Sequence, residues 1–382
     1  MRKVEMNSKQ LKEYRLACEV LAGKYTIKQF SVLIGKSYRQ SQRIIKRVEK
    51  EDYFGVFHKN FGKRPHNKTD EYLEALIVDL LTYKYNGFNL THFKEMLEKY
   101  EHKKIAKSTL HRIARKHGLV KSPRKRVRRS FKPRPRMPRE GMLIQFDGSH
   151  HLWFGERKTD LLAAIDDATG KIINAEFFFG ETSMNGLKVI KEIVENKGIP
   201  ESFYMDQAGI YGKVDRDWES QIARAFNQVN IQLILASSPQ AKGRIERLFR
   251  TLQDRLIAEF KLFDIQTIEE ANDYLKKIFI PNFNKYFSVK AQDSELAYRP
   301  NVFGKLERIF CKKKRRKIGV GNVFSWDNVT WIIDEKNCYR GREVNINTHI
   351  EGHYSFDIMG REVKTKVLKT NRIYGHHKKR AV

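Results

Sequence analysis

The chain has 382 residues, of which 75 are Lys or Arg and 45 are Asp or Glu, giving a net charge of +30 and a pI near 9.9. That excess is larger than solubility requires and predicts a polyanionic partner. No apolar run approaches the roughly 20 residues of a membrane span, the first residues lead into no apolar signal core, and Cys18, Cys311 and Cys338 lack the spacing of a disulfide framework or a zinc finger, so membrane and disulfide-rich classes are excluded and a soluble, intracellular protein is expected.

The charge is unevenly placed. Residues 1–140 hold 36 Lys/Arg against 14 Asp/Glu, residues 301–382 hold 19 against 8, and residues 141–300 are nearly balanced at 20 against 23. A polyanion would be gripped by the flanks and presented to the neutral centre, with an affinity that falls steeply as salt rises. At about 100–200 residues per domain the length predicts two to four domains, and a 40% hydrophobic content is ample for packed cores.

In chain order, the first fifty residues give three helices, at 9–22, 26–34 and 38–51, broken at Gly23 and Gly35. The third displays Arg39, Gln42, Arg43, Lys46 and Arg47 while Ile44, Ile45 and Val48 turn inward. That is the rhythm of a helix-turn-helix with a basic recognition helix. A second helical unit, 58–120, contains helices at 70–85, at 90–100 capped by Asn89, and at 109–117 capped by Ser108. The last displays Arg112, Arg115 and Lys116 for a second DNA contact. Residues 121–140, with Arg124, Lys125, Arg126, Arg128 and Arg129 interleaved with proline, read as an extended basic linker ordered against phosphate.

Residues 141–300 change character. Strands are expected at 142–147, 161–166, 172–179, 203–206 and 231–235, with helices at 184–196, 218–227 and 243–260 and further helix at 266–286. The order βββαβαβα outlines an RNase H-like α/β domain. A second basic linker, 301–317, ends in six consecutive cations, Lys312 to Lys317. Short strands over 318–370 then suggest a small β-barrel of the SH3 kind, and residues 371–382 read as a disordered basic tail.

The chemistry centres on three carboxylates. Asp147 and Asp206 close apolar, β-prone runs, and Glu246 opens an amphipathic helix. Carboxylates from separate elements suit two Mg²⁺ ions about 3.5–4 Å apart that clamp a phosphate. Clustered acids repel and raise one another's pKa unless cations neutralise them, so such a trio is costly bare and stable when loaded. Lys242 and Arg244 flank Gly243 just before Glu246, where backbone and cations can approach a DNA strand. Asp166 and Asp167 sit in a hairpin turn that favours Asp for backbone reasons. His150 and His151, adjacent on a strand, point to opposite faces and make a poor metal pair.

Over most of its length, from the two helix-turn-helix units through Gln145-Phe-Asp-Gly-Ser-His-His151, Ile165-Asp-Asp-Ala-Thr169 and Ser238-Pro-Gln-Ala-Lys-Gly-Arg-Ile-Glu-Arg247 to the β tail, the chain resembles the DDE transposases with an integrase core, closest to bacterial insertion-sequence transposases of the ISNCY type. The resemblance implies that Asp147, Asp206 and Glu246 hold two Mg²⁺ ions, with Mn²⁺ able to substitute. It implies activation of water, and then of a DNA 3′-hydroxyl, for in-line attack on a phosphodiester without a covalent protein intermediate. It further implies binding to terminal inverted repeats and target DNA, a homodimer or larger synaptic assembly, and a cytoplasmic, nucleoid-associated bacterial protein. Thirty-nine residues separate Asp206 from Glu246, a few more than is usual in that superfamily, and the position expected to carry a basic residue is Gln253, leaving DNA contact to Arg247 or Arg250. A DNA-binding regulator on a decayed core, and an RNase H-like nuclease without strand transfer, are the alternatives.

Overall fold

Three helices, α1 (Ser8–Leu21), α2 (Ile27–Ile34) and α3 (Tyr38–Glu51), build the N-terminal part of the computed structural model, which describes residues 6–58, 60–61, 68–120, 134–155, 157–206, 220–235 and 243–370. Each helix starts where a side chain satisfies the orphan N–H groups of its first turn: Asn7 and Thr26 in reciprocal capping boxes, Ser37 alone. Gly35, at φ +64°, ends α2 in a left-handed turn that other residues adopt at a cost. Ala17, Phe30, Ile44, Ile45, Val48, Val56 and Phe57 form the core. The chain divides into two units, 1–74 and 75–382.

The division falls within α4 (Glu71–Thr82), after which come α5 (Leu90–Tyr100) and α6 (Lys107–Lys116). Asn89 caps α5 as expected, accepting from the Thr91 and His92 N–H groups. The cap of α6 differs: the extended backbone falls at Ala106, so Ser108 lies inside the first turn and no side chain caps the helix.

The second unit then lays down β1 (Leu143–His151), β2 (Thr159–Asp166), β3 (Ile172–Phe178), α7 (Ser183–Lys197), β4 (Ser202–Met205), α8 (Gln221–Gln228), β5 (Gln232–Leu235) and α9 (Gly243–Leu262). The element order is the one that the apolar patterning predicts. The sheet order is β3-β2-β1-β4-β5, with β1 to β3 antiparallel and β4 and β5 parallel to β1. Both faces are covered. Ile144, Phe146, Leu162, Phe203 and Met205 pack with Leu187, Ile190 and Phe226 from α7 and α8. Leu161, Ala163, Ala175 and Phe177 pack with Ile245, Leu248, Leu252 and Leu256 of α9. Even-numbered residues of β1 thus face α7 and α8, and odd-numbered ones face α9.

Beyond α9, helix α10 (Ile268–Tyr274) continues through a π turn, Leu275–Phe279, into α11 (Ile280–Phe287). Seven short strands follow: β6 (Lys312–Lys317), β7 (Val323–Trp326), β8 (Val329–Ile333), β9 (Glu343–Thr348), β10 (Tyr354–Ile358), β11 (Arg361–Glu362) and β12 (Thr365–Thr370). They depart from expectation twice. First, they make a four-stranded sheet, β11-β10-β9-β6, and a three-stranded sheet, β12-β8-β7, in place of a closed barrel. One shared core including Phe324, Val344, Ile346 and Phe356 holds the two sheets together. Second, the cationic run 312–317 is an edge strand paired along its whole length with β9, not a linker. Main-chain pairing is indifferent to side-chain charge, and a charged edge discourages further strand addition. Lys314 and Arg316 lie over the Trp326 ring, 5.5 and 5.3 Å from its centroid.

Candidate active site

Asp147 sits in β1 between Gln145 and Ser149, and all three share the face that looks at α9. The contacts fix this. Gln145 Oε1 accepts the Ile245 N–H of the first turn of α9 at 3.2 Å, and Gln253 Nε2 of the same helix donates to Ser149 Oγ at 3.2 Å. The helix therefore runs along β1, with Asp147 midway between its two points of attachment. Glu246, Arg250 and Gln253 recur at i, i+4 and i+7 along the helix, and of these Gln253 contacts β1. The cross-strand neighbour of Asp147 in β2 is Ala163, which is small.

Asp206 follows β4 directly. The parallel register pairs Ile144 with Phe203 and Gln145 with Tyr204, the last pair of that ladder, so Asp147 and Asp206 each lie two residues beyond it on neighbouring chain segments. Asp147 is half-buried, and Asp206 and Glu246 are exposed. The tight group of potential metal ligands among the described residues is elsewhere, at His349, Glu351 and His353 in the β9–β10 turn. Both His349 ring nitrogens there are engaged, by the Glu307 carbonyl at 3.1 Å and Ser355 Oγ at 2.7 Å. Asp147, Asp206 and Glu246 do not close to that degree.

The turn after β2 holds more than turn chemistry. Asp166 behaves as a turn residue: it accepts from the Thr169 N–H and hydroxyl, both at 2.7 Å, and from the Gly141 N–H at 2.9 Å. Burial pushes its carboxyl above the usual range against the pull of those bonds. Asp167 is wholly buried and receives Gln145 Nε2 at 2.8 Å, Arg244 Nε at 2.7 Å, the Met137 N–H at 2.9 Å and the Arg134 guanidinium. Arg136 donates to the Asp167 and Ala168 carbonyls, both at 3.2 Å, and burial, followed by the neighbouring Arg244, lowers its pKa. The described end of the basic stretch is thus ordered against a carboxylate. His150 reaches across to Asp160 at 2.6 Å, and His151 meets the edge of Trp153.

Of the cations expected to touch DNA, Arg39, Arg43 and Lys46 are exposed on α3 and Gln42 is half-buried, whereas Arg47 Nη1 donates to the Phe57 carbonyl at 2.9 Å. Arg112, Arg115 and Lys116 are exposed on α6, where Arg112 and Arg115 line a shallow groove with Lys107, Ser108 and His111. Arg244 is committed to Asp167. Arg247 and Arg250 are exposed, the former with its Nε on the Gly243 carbonyl at 2.7 Å. Arg124, Lys125, Arg126, Arg128, Arg129 and Lys242 lie outside the described residues, as does the tail 371–382.

Two fastenings were not legible in the sequence. Helix α5 is bolted to α9 by Arg255, which takes both carboxylate oxygens of Glu95 at 2.6 and 2.9 Å, and by His92 Nε2 at 2.7 Å from Glu259, which also accepts the Tyr274 hydroxyl. The strands of the tail are held at α8, where the Gln221 amide brackets Lys313 and Arg224 donates to the Ile309 carbonyl at 3.0 Å.

No family model matches the chain. It is 28% identical over 385 residues to "Putative transposase y4bF" of Sinorhizobium fredii (strain NBRC 101917 / NGR234), across 98% of this chain and 84% of that protein. It is 30% identical over 409 residues to "Transposase for insertion sequence IS1202" of Streptococcus pneumoniae, across 96% of this chain and 88% of that protein. Solved structures overlap it more loosely. The simian T-cell lymphotropic virus intasome in complex with PP2A regulatory subunit B56 gamma covers 68% of this chain and 90% of its own at 12% identity, with a TM-score of 0.36. The HTLV-2 integrase catalytic core domain in complex with magnesium (dimeric form) covers 37% and 89% at 14% identity, with a TM-score of 0.30.

Proposed function

Because this chain belongs to the insertion-sequence transposases, we propose that Asp147, Asp206 and Glu246 are the carboxylates through which it cuts and joins DNA. The parallel pairing of β1 with β4 supports this reading: Asp147 and Asp206 each lie two residues beyond its last pair, Gln145 with Tyr204, and Ile245, next to Glu246, bonds to Gln145. The donor set fits a divalent ion: three hard oxygen ligands, half-buried or exposed, from separate elements. Bound there, a pair of Mg²⁺ or Mn²⁺ ions would supply Lewis-acid stabilisation of the negative charge that develops at the phosphate. The chain's own part is positional. β1 and the residue just after β4 carry two of the carboxylates, and Arg247 and Arg250, further along α9, present cations to the phosphates beside the scissile bond.

The remaining assignments follow from charge and placement. Residues 141–300 act as an RNase H-like core; α3, through Arg39, Gln42, Arg43 and Lys46, and α6, through Arg112, Arg115 and Lys116, read the terminal repeats. Arg47 supports α3 from its backbone contacts. Arg124, Lys125, Arg126, Arg128, Arg129 and Lys242 meet phosphate, and Arg244 acts from within the core. Joining two DNA ends calls for at least two copies of the chain. The test is cleavage and joining of labelled DNA carrying the element's ends in Mg²⁺, by the wild type and by Asp147→Asn, Asp206→Asn and Glu246→Gln. Each variant is expected to bind the ends like the wild type and to lose at least about 10²-fold in cleavage. A variant that binds and cuts like the wild type would remove that residue from the site.

A further inference from the structure

We propose that Asp167 is a positioning residue for the reaction, holding the first turn of α9, and with it Glu246, in register with Asp147; this deepens the reading above and rests on it. The bonds around Asp167 form a closed ring. Its carboxylate takes the Gln145 amide N–H at 2.8 Å; the oxygen of that same amide takes the Ile245 N–H at 3.2 Å; and Arg244, the preceding residue, returns its Nε to Asp167 at 2.7 Å. Gln145 stands two residues before Asp147 on the same strand face, and Arg244 and Ile245 immediately precede Glu246. The ring therefore spans the two elements whose relative position decides whether the two carboxylates can share an ion. It does not include them.

Two features mark the ring as more than a buried ion pair. A cation in the first turn of a helix opposes the helix dipole, so Arg244 is poorly placed for the stability of α9 alone. A carboxylate with no exposed surface is costly unless it is paired and hydrogen-bonded, and Asp167 meets that condition only while Arg134, Met137, Gln145 and Arg244 are all in place. The same carboxylate receives the described end of the basic stretch at Arg134 and Met137, so the seat of that segment and the seat of α9 are one group.

The test measures Mn²⁺ binding to the full chain from loss of the free-ion paramagnetic resonance signal, together with single-turnover cleavage against Mg²⁺ concentration. The proteins are the wild type, Glu246→Gln, Asp167→Asn, Gln145→Leu and, as a stability control, Asn272→Ala, which loses hydrogen bonds to Phe177 near the end of β3 away from the Asp167 turn. We expect Asp167→Asn and Gln145→Leu each to weaken Mn²⁺ binding and raise the half-maximal Mg²⁺ concentration at least about tenfold, with end binding within twofold of wild type and Asn272→Ala unchanged in both. Should Asp167→Asn fail to fold, Gln145→Leu decides alone. Folded Asp167→Asn or Gln145→Leu with wild-type metal dependence would overturn the proposal. Equal Mn²⁺ binding by wild type and Glu246→Gln would instead overturn the ligand assignment on which it rests.

Discussion

Neighbouring residues in β1 answer to different constraints. Asp147 faces α9, whereas Gly148 points the other way, where an added Cβ would stand 2.7 Å from the Glu181 carboxyl carbon. A carboxylate end can swing aside, so Gly148→Ala should cost less than about 1 kcal/mol in a melting experiment. At Gly55 the same Cβ would fall 2.4 Å from the Val48 amide nitrogen and 2.6 Å from the Arg47 carbonyl carbon. Backbone cannot yield so cheaply, and Gly55→Ala should destabilise the N-terminal unit by about 3 kcal/mol and weaken end binding with it. His349 makes a pH prediction. Burial, followed by the neighbouring His353, lowers its pKa below the ordinary 6.5. The folded tail then favours neutral imidazole, and the contribution is present above about pH 6.5 and lost as pH falls through the lower folded value. The melting advantage of wild type over His349→Gln should accordingly shrink between pH 7.5 and pH 5; an unchanged gap would contradict this. Asp206 and Glu246 stand where the sequence places them, just after β4 and in the first turn of α9, whereas Asp147, expected to close its strand, lies in the middle of β1. Asp167 could not be picked out in the sequence, because a hairpin turn is reason enough for an Asp, and its four donors come from residues up to 77 positions away.

At the scale of elements, the five strands of the core and α9 were legible because their apolar runs are short, β-branched or amphipathic and bounded by polar turns. The edge strand β6 was not: six cations in a row look like a linker, and only the partner strand β9 reveals a ladder. Nor was the docking of α5 on α9, which depends on side chains about 160 residues apart. Arg255→Ala removes two charge-assisted bonds to Glu95 and the packing of its guanidinium 4.6 Å from the Phe287 ring centroid. We expect a loss of about 2 kcal/mol, read from denaturant unfolding. Because α9 also carries Glu246, cleavage should fall further than end binding in this variant.

For the whole molecule, the charge distribution predicts behaviour better than it predicts shape. An excess of 22 cations over residues 1–140 and 11 over residues 301–382 should make end binding depend on counterion release. Affinity is expected to fall by about 10³-fold or more between 50 and 200 mM salt, measured by fluorescence anisotropy, and a flat salt response would argue against phosphate contacts as the main source of affinity. The order of elements, from helices through a mixed sheet to short strands, could be read from the sequence. The pairing of the tail into two sheets could not, because short alternating strands do not encode which edges meet. If Asp147, Asp206 and Glu246 hold the metal, replacing each in turn by Cys will change which ion supports cleavage of the element's ends, assayed in Mg²⁺ and in Mn²⁺. A thiolate serves the hard Mg²⁺ ion poorly and the softer Mn²⁺ better. All three variants should be inactive with Mg²⁺ and regain cleavage with Mn²⁺; full activity in Mg²⁺, or no recovery in Mn²⁺ at any position, would contradict the account.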